Sequence, residues 1–442
     1  MNPSKPSSDS RRWTEAQAER QLRSLELFGM RFGLDRMRRM MTALGSPEQR
    51  FDAIHVLGTN GKSSTTRMIA AILERHGLRT GAYLSPHLVS YRERVRIGEH
   101  ELSGEDFAAA IGRASWAAER VNRTLGEDDH VTQFELLTAA ALWQMAEAEV
   151  DVAVVEAGLG GRYDATSVID ARVTVLTNIG LEHTRWLGPT LTDIAEEKLA
   201  ALRPEATLVL AAELAPEALA VAERVAAERS APIVRAPADP GEIALLAQGS
   251  FQRRNFALAR TAAERYLRDV GVATLEQAVM AAGASTEVPG RLQRVDRDPP
   301  TMLDGAHNPD AVAALVESLP EAFPERPLAL VLGVLEDKDA AAMLGALLPL
   351  CDQAWFTAPP SSRALSPAAL QSLARQLGFE ATACEARPER ALEQAQRWAR
   401  ERGGGVLVTG SVYLVGQLLG RLDPSGAPLP APVDRGDPGS QR

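Results

Sequence analysis

The segment from Ile54 to Gly77 constrains the fold of this chain more than any other. Its sequence, IHVLGTNGKSSTTRMIAAILERHG, starts with the apolar run of a buried strand and ends as an amphipathic helix. Between them, a glycine-bearing turn places Lys62 at the start of the helix. Unpaired backbone N–H groups and the helix dipole favour an anion at such a position. The segment therefore predicts a P-loop-type phosphate site on a strand–loop–helix unit.

The glycine spacing of this loop differs from the general G-x-x-x-x-G-K-[ST] pattern, because Val56 stands where the first glycine would be. An ordinary strand-to-helix turn with an unrelated lysine is the alternative interpretation. Ser63 or Ser64 offers a hydroxyl to a metal or a phosphate oxygen.

Length and composition limit the remaining possibilities. A chain of 442 residues exceeds a single core of ordinary size, which predicts two domains. The net charge of -10 provides no basic field for nucleic acid. The polar N-terminus and the absence of any long apolar run predict neither a secretion signal nor a membrane span. Two cysteines argue against a disulfide framework. We therefore expect a cytoplasmic protein.

Apolar strands alternate with helical segments along most of the chain, which predicts an α/β fold. The expected architecture is a P-loop-type, mostly parallel sheet flanked by helices, followed by a smaller C-terminal Rossmann-like α/β domain. The alternation breaks at VPGRLQRVDRDPP, where we place the junction. The predicted divisions are a disordered N-terminus (1–12), a phosphate-binding domain (13–287), a C-terminal domain (288–422) and a disordered tail (423–442).

Two further strands in the first half deliver side chains suited to a metal. Glu156 ends the strand VAVVE, and His183 follows the strand VTVLT by a few residues. Ligands of open parallel sheets lie at the carboxyl ends of the strands. If the strands are neighbours, Glu156, His183 and a loop hydroxyl converge on a Mg²⁺ site beside substrate phosphates. A solvated carboxylate and a surface histidine are the alternatives, and Lys198, taken alone, suggests only a solvated charge.

The second half carries a comparable turn, LDGAHNP, which places Asp304 and His307 after a strand. Asp304 suits ribose hydroxyls, and His307 suits a carboxylate or a phosphate. Helix capping by Asn308 and a surface histidine are equally good accounts. Ser411 occupies a similar turn in VLVTGSVYLVG.

These segments together resemble, in order and over nearly the whole chain, the folylpolyglutamate synthase/dihydrofolate synthase family of the Mur ligase superfamily. The matching motifs are FGLDRMRRMM, HVLGTNGKSS, YLSPHLVSYRERVRI, TQFELLTAAAL, VVEAGLGGRYDAT, LEHTRWLG, the EEK of Lys198, PGRLQRV, LDGAHNP, GVLEDKD and GSVYLVG. GTNGK, SPHL, GLGGRxDAT and LDGAHNP are the most specific of them. Ser63 stands where the family usually has glycine.

The resemblance implies an ATP-dependent ligase that adds L-glutamate to dihydropteroate and extends folates with further glutamates, through an acyl phosphate. It makes residues 13–287 an ATP-binding, Mur-ligase-like central domain with folate-binding loops and residues 288–422 a glutamate-ligase domain. It implies ATP and Mg²⁺, with two magnesium sites, and a monovalent cation as a further candidate. The expected partners are dihydropteroate or folate, L-glutamate and ATP, without nucleic acid or membrane, and the expected state is a monomer. The alternatives are the extending activity alone, another Mur-type amino-acid ligase, and a non-catalytic nucleotide-binding paralogue.

The same resemblance assigns roles to individual residues. The implied catalytic residues are Lys62, Lys198, His183 and Arg291. The implied nucleotide contacts are Thr59, Asn60, Gly61, Lys62, Ser63, Ser64, Gln252, Asn255, Arg291 and Asp304. The implied metal ligands are Ser85, Glu156, His183 and Lys198, the last as a carbamate. The implied folate contacts are Ser85, Pro86, His87, Arg92, Arg94, Gln133, Phe134 and Glu135. The implied glutamate contacts are His307 and Ser411.

Overall fold

The computed structural model describes residues 13–25, 33–127 and 129–422. The segments 1–12 and 423–442, for which the sequence predicts disorder, lie outside the described residues. The chain divides into two compact units. The first contains the described residues up to Leu246 together with Phe251–Glu287, and the second contains Ala247–Ser250 together with the described residues from Val288.

The first unit is an eight-stranded sheet with helices. Its strands are β1 (Asp52–Leu57), β2 (Thr80–Tyr83), β3 (Val95–Ile97), β4 (His100–Glu101), β5 (Val152–Glu156), β6 (Ala171–Leu176), β7 (Thr207–Leu210) and β8 (Ile233–Arg235). Its helices are α1 (Glu15–Ser24), α2 (Asp35–Leu44), α3 (Lys62–Arg75), α4 (Gly104–Asn122), α5 (Gln133–Glu147), α6 (Thr184–Leu187), α7 (Leu191–Leu199), α8 (Pro216–Glu228), α9 (Ser250–Asp269) and α10 (Glu276–Ser285).

The strand order of this sheet is β4-β3-β2-β5-β1-β6-β7-β8. All pairs are parallel except β2 with β3 and β3 with β4. β1 lies between β5 and β6, and Val56 pairs with Glu156 on one side and Val175 on the other. Because the central strands are buried on both faces, they are nearly continuous apolar runs. The carboxyl ends of these parallel strands lie side by side along one end of the sheet, and the candidate site lies there.

The second unit is a six-stranded sheet of order β13-β12-β11-β14-β10-β9, parallel except for the pair β9 and β10. Its strands are β9 (Gln293–Arg297), β10 (Pro300–Leu303), β11 (Leu328–Leu332), β12 (Gln353–Phe356), β13 (Thr382–Cys384) and β14 (Gly405–Thr409). Its helices are α11 (Pro309–Ala322), α12 (Ala340–Leu347), α13 (Pro367–Gln376), α14 (Pro388–Arg402) and α15 (Val412–Leu422).

The predicted fold class is confirmed in both units, and the strands that the sequence did not predict lie at a sheet edge or, in the case of β3, next to one. β3, β4 and β13 have only two or three residues each, and β9 has the polar sequence QRVDR. Edge strands need no continuous apolar run because one side of the ladder is open. Among the described helices, none is both long and apolar enough to cross a membrane.

Candidate active site

The phosphate loop between β1 and α3 is held by the residues that follow β6. The Asn178 carbonyl accepts the Thr59 N–H at 3.0 Å, and its side-chain Oδ1 accepts the Asn60 N–H at 2.7 Å. The Thr177 hydroxyl donates to the Asn60 carbonyl at 2.6 Å. Lys62 Nζ donates to the Thr59 carbonyl at 2.9 Å, which brings the ammonium back over the loop. Thr177 and Asn178 thus shape the loop, although the sequence assigned them no role.

Two loop glycines are required by close contacts. Gly58 has φ of 141°, and a Cβ there would collide with the Thr177 hydroxyl. Gly61 has φ of 80°, and a Cβ there would lie 2.6 Å from Asn255 Oδ1 on α9. Asn255 Nδ2 donates in turn to Gln252 Oε1 at 3.0 Å, and Gln252 Nε2 is buried without a hydrogen-bond partner. The structure therefore places Asn255 beside the phosphate loop, and Gln252 is its hydrogen-bond partner on α9.

Glu156 connects two loops at the sheet edge. Its side chain is 1% exposed, and Oε1 accepts the Ser63 hydroxyl at 2.9 Å. Oε2 accepts the backbone N–H of Ser85 at 3.0 Å. The phosphate loop and the SPH loop (85–87) therefore meet on one buried carboxylate. Carboxylate and hydroxyl oxygens are the ligands that Mg²⁺ prefers, so the donor set fits this ion.

His183 is placed differently from Glu156. It precedes α6 with a positive φ of 54°, and its side chain is 36% exposed, with Nε2 at 4.0 Å from Glu182 Oε1. The segment before it is tied to the phosphate loop, since the Gly180 N–H donates to Thr59 Oγ1 at 3.0 Å. Within the described ranges, no group of three or more His, Cys, Asp or Glu side chains is arranged to hold a metal ion.

Lys198, on α7, is buried at the same edge, with 2% exposure. Its Nζ donates to the Gly58 carbonyl at 3.0 Å and to the Leu159 carbonyl at 2.8 Å. Burial, together with the positive charge of Lys62, lowers the pKa of Lys198 to about 7. Near neutral pH the amine is therefore partly uncharged, unlike the solvated lysine that the sequence suggests when Lys198 is taken alone.

The turn that receives Lys198 follows β5 and contains Gly158, Leu159, Gly160 and Gly161. We call residues 158–161 the glycine turn. A Cβ at Gly161 would collide with the Glu197 carbonyl, so the turn packs directly on α7. Asp164 Oδ2 accepts the N–H groups of Leu159 at 3.0 Å and Gly160 at 2.8 Å. The sequence motif contained Asp164, yet a local pattern could not reveal this function.

The SPH loop and the residues after it form a second cluster. Arg94 Nε donates to His87 Nδ1 at 3.0 Å, and the rings of His87 and Tyr91 lie 4.3 Å apart. Burial and the charge of Arg94 lower the pKa of His87 to about 3, so this imidazole is neutral. Arg92 Nε donates to the Leu102 carbonyl at 2.7 Å, and Pro86 is exposed.

The three predicted folate contacts at the start of α5 are divided by the structure. Gln133 is buried and donates to the Leu22 carbonyl at 2.7 Å. Glu135 is buried in an ion pair with Arg36, at 3.0 Å between Oε1 and Nε. The Phe134 ring packs against Gly158, where a Cβ would lie 2.5 Å from its tip. Phe134 alone is brought to the glycine turn.

In the second unit, Asp304 follows β10 and is 2% exposed. Its Oδ1 accepts the Ala306 N–H at 2.8 Å, and Oδ2 accepts the Leu292 N–H at 2.9 Å. Burial raises the pKa of Asp304, and the charge of Arg291 opposes that shift. The Arg291 guanidinium lies over Gly305, where a Cβ would collide with it.

His307 and Ser411 are brought together by neighbouring strands. His307 Nδ1 lies 2.8 Å from the Gly305 carbonyl, so Nδ1 carries the hydrogen. The Gly410 N–H donates to the Ala306 carbonyl at 3.0 Å, which joins the turns after β10 and β14. Ser411 is buried and accepts the Tyr413 N–H at 3.2 Å.

Comparisons with known proteins agree with this arrangement. Residues 56–213 match the family model of the Mur ligase middle domain, and residues 290–412 match that of the Mur ligase glutamate ligase domain. Among solved structures, folylpolyglutamate synthase of Mycobacterium tuberculosis complexed with ADP and AMPPCP aligns with a TM-score of 0.84 and 31% identity, covering 91% of this chain and 97% of that one. Escherichia coli FolC in complex with DHPP and ADP aligns with a TM-score of 0.79 and 30% identity, covering 94% and 98%.

The similarity extends to curated relatives over most of their length. The Bacillus subtilis dihydrofolate synthase/folylpolyglutamate synthase is 31% identical over 423 residues, which cover 89% of this chain and 96% of the relative. The Escherichia coli dihydrofolate synthase/folylpolyglutamate synthase is 33% identical over 409 residues, which cover 88% and 91%. The chain therefore belongs to the dihydrofolate synthase/folylpolyglutamate synthase family of Mur ligases.

Proposed function

We propose that this chain is an ATP-dependent ligase that joins L-glutamate to dihydropteroate and to folates. The observation that carries this proposal is the position of Glu156. Its carboxylate accepts the hydroxyl of Ser63 in the phosphate loop and the N–H of Ser85 in the SPH loop. The first loop suits ATP, and the second matches the folate loop of the family. A phosphate donor and a carboxylate acceptor bound there would be adjacent.

The chemistry follows from the weakness of a carboxylate as an electrophile. The substrate carboxylate attacks the γ-phosphorus of ATP, and ADP leaves, giving an acyl phosphate. The glutamate amine then attacks the acyl carbon, loses a proton and expels inorganic phosphate, giving the amide. Charge neutralisation rather than a protein nucleophile is what the first step requires. Lys62 supplies one such charge, because its Nζ lies over the loop.

Magnesium is the expected companion of ATP in this site. Glu156, Ser85 and His183 are the residues we propose to hold it, with Ser63 beside them. When bound, the ion would neutralise phosphate charge. Glu156 is suited to this role because its buried carboxylate lies between the two loops, at 2.9 Å from the Ser63 hydroxyl and 3.0 Å from the Ser85 N–H.

Lys198 is proposed to act as a carbamate at the second magnesium site. Only an uncharged amine can add CO₂, with loss of one proton, to give the N-carboxylate. The lowered pKa of Lys198, about 7, supplies that form near neutral pH. The oxygens of the carbamate would provide the anionic ligand that a lysine cannot.

The second unit is proposed to bind glutamate through His307 and Ser411 and to contact phosphate through Arg291. His307 donates through Nδ1 to the Gly305 carbonyl at 2.8 Å, which orients its ring in the turn after β10. A ribose contact of Asp304 stays a prediction, because both of its oxygens already accept backbone N–H groups. We further propose that the chain acts as a monomer.

The test is an assay of purified full-length chain with ATP, Mg²⁺ and L-glutamate. ADP release and product mass are measured with dihydropteroate in one arm and with a reduced folate in the other. Turnover in both arms is the expected result. Turnover with the reduced folate alone would restrict the function to chain extension. Nucleotide binding without turnover in either arm would favour the non-catalytic alternative.

A further inference from the structure

A buried histidine on β1 lies outside every role described above. His55 is three residues before Gly58 and is 1% exposed. Its Nε2 lies 2.8 Å from the hydroxyl oxygen of Thr166, which is fully buried. Histidines are uncommon inside a parallel sheet, where both faces are usually apolar. The position of His55 beneath the phosphate loop therefore calls for an explanation.

The direction of this hydrogen bond follows from the next one. The Thr166 hydroxyl lies 2.6 Å from Asp164 Oδ1, and an ionised carboxylate can only accept. The single hydroxyl proton of Thr166 is therefore used on Asp164. His55 must then donate to Thr166, which places its hydrogen on Nε2.

The charge state of His55 agrees with this assignment. Burial lowers the pKa of His55 to about 4; Asp164 opposes this shift, while Arg203 reinforces it. The ring is thus neutral at physiological pH and has one N–H to give. The neutral Nε2–H tautomer therefore fits both hydrogen bonds, the one from His55 to Thr166 and the one from Thr166 to Asp164. We call these two consecutive hydrogen bonds the His55 relay.

Asp164 connects the His55 relay to the glycine turn by hydrogen bonds. Its Oδ1 also accepts the Thr166 N–H at 3.0 Å, while Oδ2 accepts the N–H groups of Leu159 and Gly160. These bonds orient the peptide units at the tip of the turn. The Leu159 carbonyl then accepts from Lys198 Nζ at 2.8 Å.

We propose that His55 is a positioning residue for Lys198. It acts through Thr166 and Asp164, which fix the glycine turn against which the Lys198 amine is held. This inference rests on the proposed function, because it assigns Lys198 a part in the reaction. It adds a buried residue of the HVLGTNGKSS motif to which the resemblance assigned no role.

Thr166 gives the sharpest test because its hydroxyl is the central link. Thr166→Val removes the hydroxyl while keeping the shape, and Thr166→Ser restores it. Thr174→Val is the matched control, since Thr174 is also fully buried and pairs with His55 across the sheet, but its hydroxyl has no hydrogen-bond partner. His55→Leu and His55→Gln form a second pair, without and with an N–H donor.

We expect Thr166→Val and His55→Leu to lower kcat about 10- to 100-fold, the range observed when groups that orient a site residue are removed. The KM for ATP should change less than about 2-fold, because the phosphate-loop contacts are untouched. Thr166→Ser and His55→Gln should recover most of kcat, and Thr174→Val should match wild type.

Amide hydrogen exchange supplies a readout that does not depend on turnover. In Thr166→Val and His55→Leu, the amides of Leu159 and Gly160 should exchange at least about 10-fold faster, while those of Asn60 and Gly61 keep their rates. Unchanged exchange of the glycine turn would overturn the relay, and so would a Thr166→Val variant that loses stability but keeps kcat. If wild type shows no ligase activity, the proposed function fails, while the exchange data still decide whether the relay exists.

Discussion

Glu156 and Asp304 both stand at or just beyond the carboxyl end of a parallel strand, one in each unit, but their oxygens have different partners. Those of Glu156 accept a hydroxyl and an N–H from two separate loops. Those of Asp304 accept backbone N–H groups of Ala306, within its own turn, and of Leu292. The first arrangement connects the phosphate loop with the SPH loop, and the second builds a turn. Equivalent positions on a sheet therefore do not guarantee equivalent functions.

The largest effect is expected for Lys62, which lies next to Ser63, the phosphate-loop partner of Glu156. Lys62→Met removes the ammonium over the phosphate loop, and kcat/KM should fall about 10³-fold, because a positive charge on transferring phosphate is worth 10³-fold or more. ADP release measures this change. Lys62→Arg is the control that keeps the charge. Activity of the methionine variant within 10-fold of wild type would remove Lys62 from the chemistry.

Glu156→Gln tests the connecting carboxylate directly. The substitution keeps the volume but removes the anionic charge, so the Mg²⁺ concentration for half-maximal activity should rise about 100-fold. A magnesium titration of the steady-state rate measures it. Asp304→Asn is the comparison variant and should leave the titration midpoint unchanged. Equal midpoints for wild type and Glu156→Gln would contradict the assignment of Glu156 as a metal ligand.

The lowered pKa of Lys198 predicts how the unfolding free energy of the protein depends on pH. Because the folded pKa of about 7 is below the unfolded value, the unfolded chain binds one more proton between about pH 7 and 10.5. The unfolding free energy should therefore rise with pH, by at most about 2 kcal/mol between pH 7.5 and 9 from this group. Urea unfolding in CO₂-free buffer measures it. Lys198→Met should lack this increment, and identical slopes for both proteins would show that Lys198 titrates normally.

Asp304→Asn should have the smallest effect, mainly on stability. One amide oxygen cannot replace two carboxylate acceptors, yet burial already disfavours the charge, so we expect a loss of about 1 kcal/mol. Chemical denaturation measures this loss, and the KM for ATP should change less than about 3-fold. A large rise of that KM with unchanged stability would instead support the ribose contact that the resemblance implies.

The sequence predicted the fold well because apolar periodicity is local. It located the phosphate loop, the strand that ends at Glu156 and the strand before His183, and the structure places all three at one edge of the sheet. It did not predict β9 or β13, because their residues are polar or few. It also did not predict that Gln133 and Glu135 point into the first unit, since TQFE reads as a capping box at a helix start whichever way these side chains turn.

The sequence by itself determined that parallel sheets would carry a phosphate loop at a strand end. The spacing of apolar residues that distinguishes a strand from a helix involves only residues close together in the chain. Only the tertiary structure decided which groups meet there. Ser63 and Glu156 are 93 residues apart, and Lys198 and Gly58 are 140 apart. Burial sets the protonation of Lys198 and His55, and burial depends on every element packed around them. A linear pattern cannot carry that information, because hydrogen-bond partners and dielectric surroundings are properties of the folded chain.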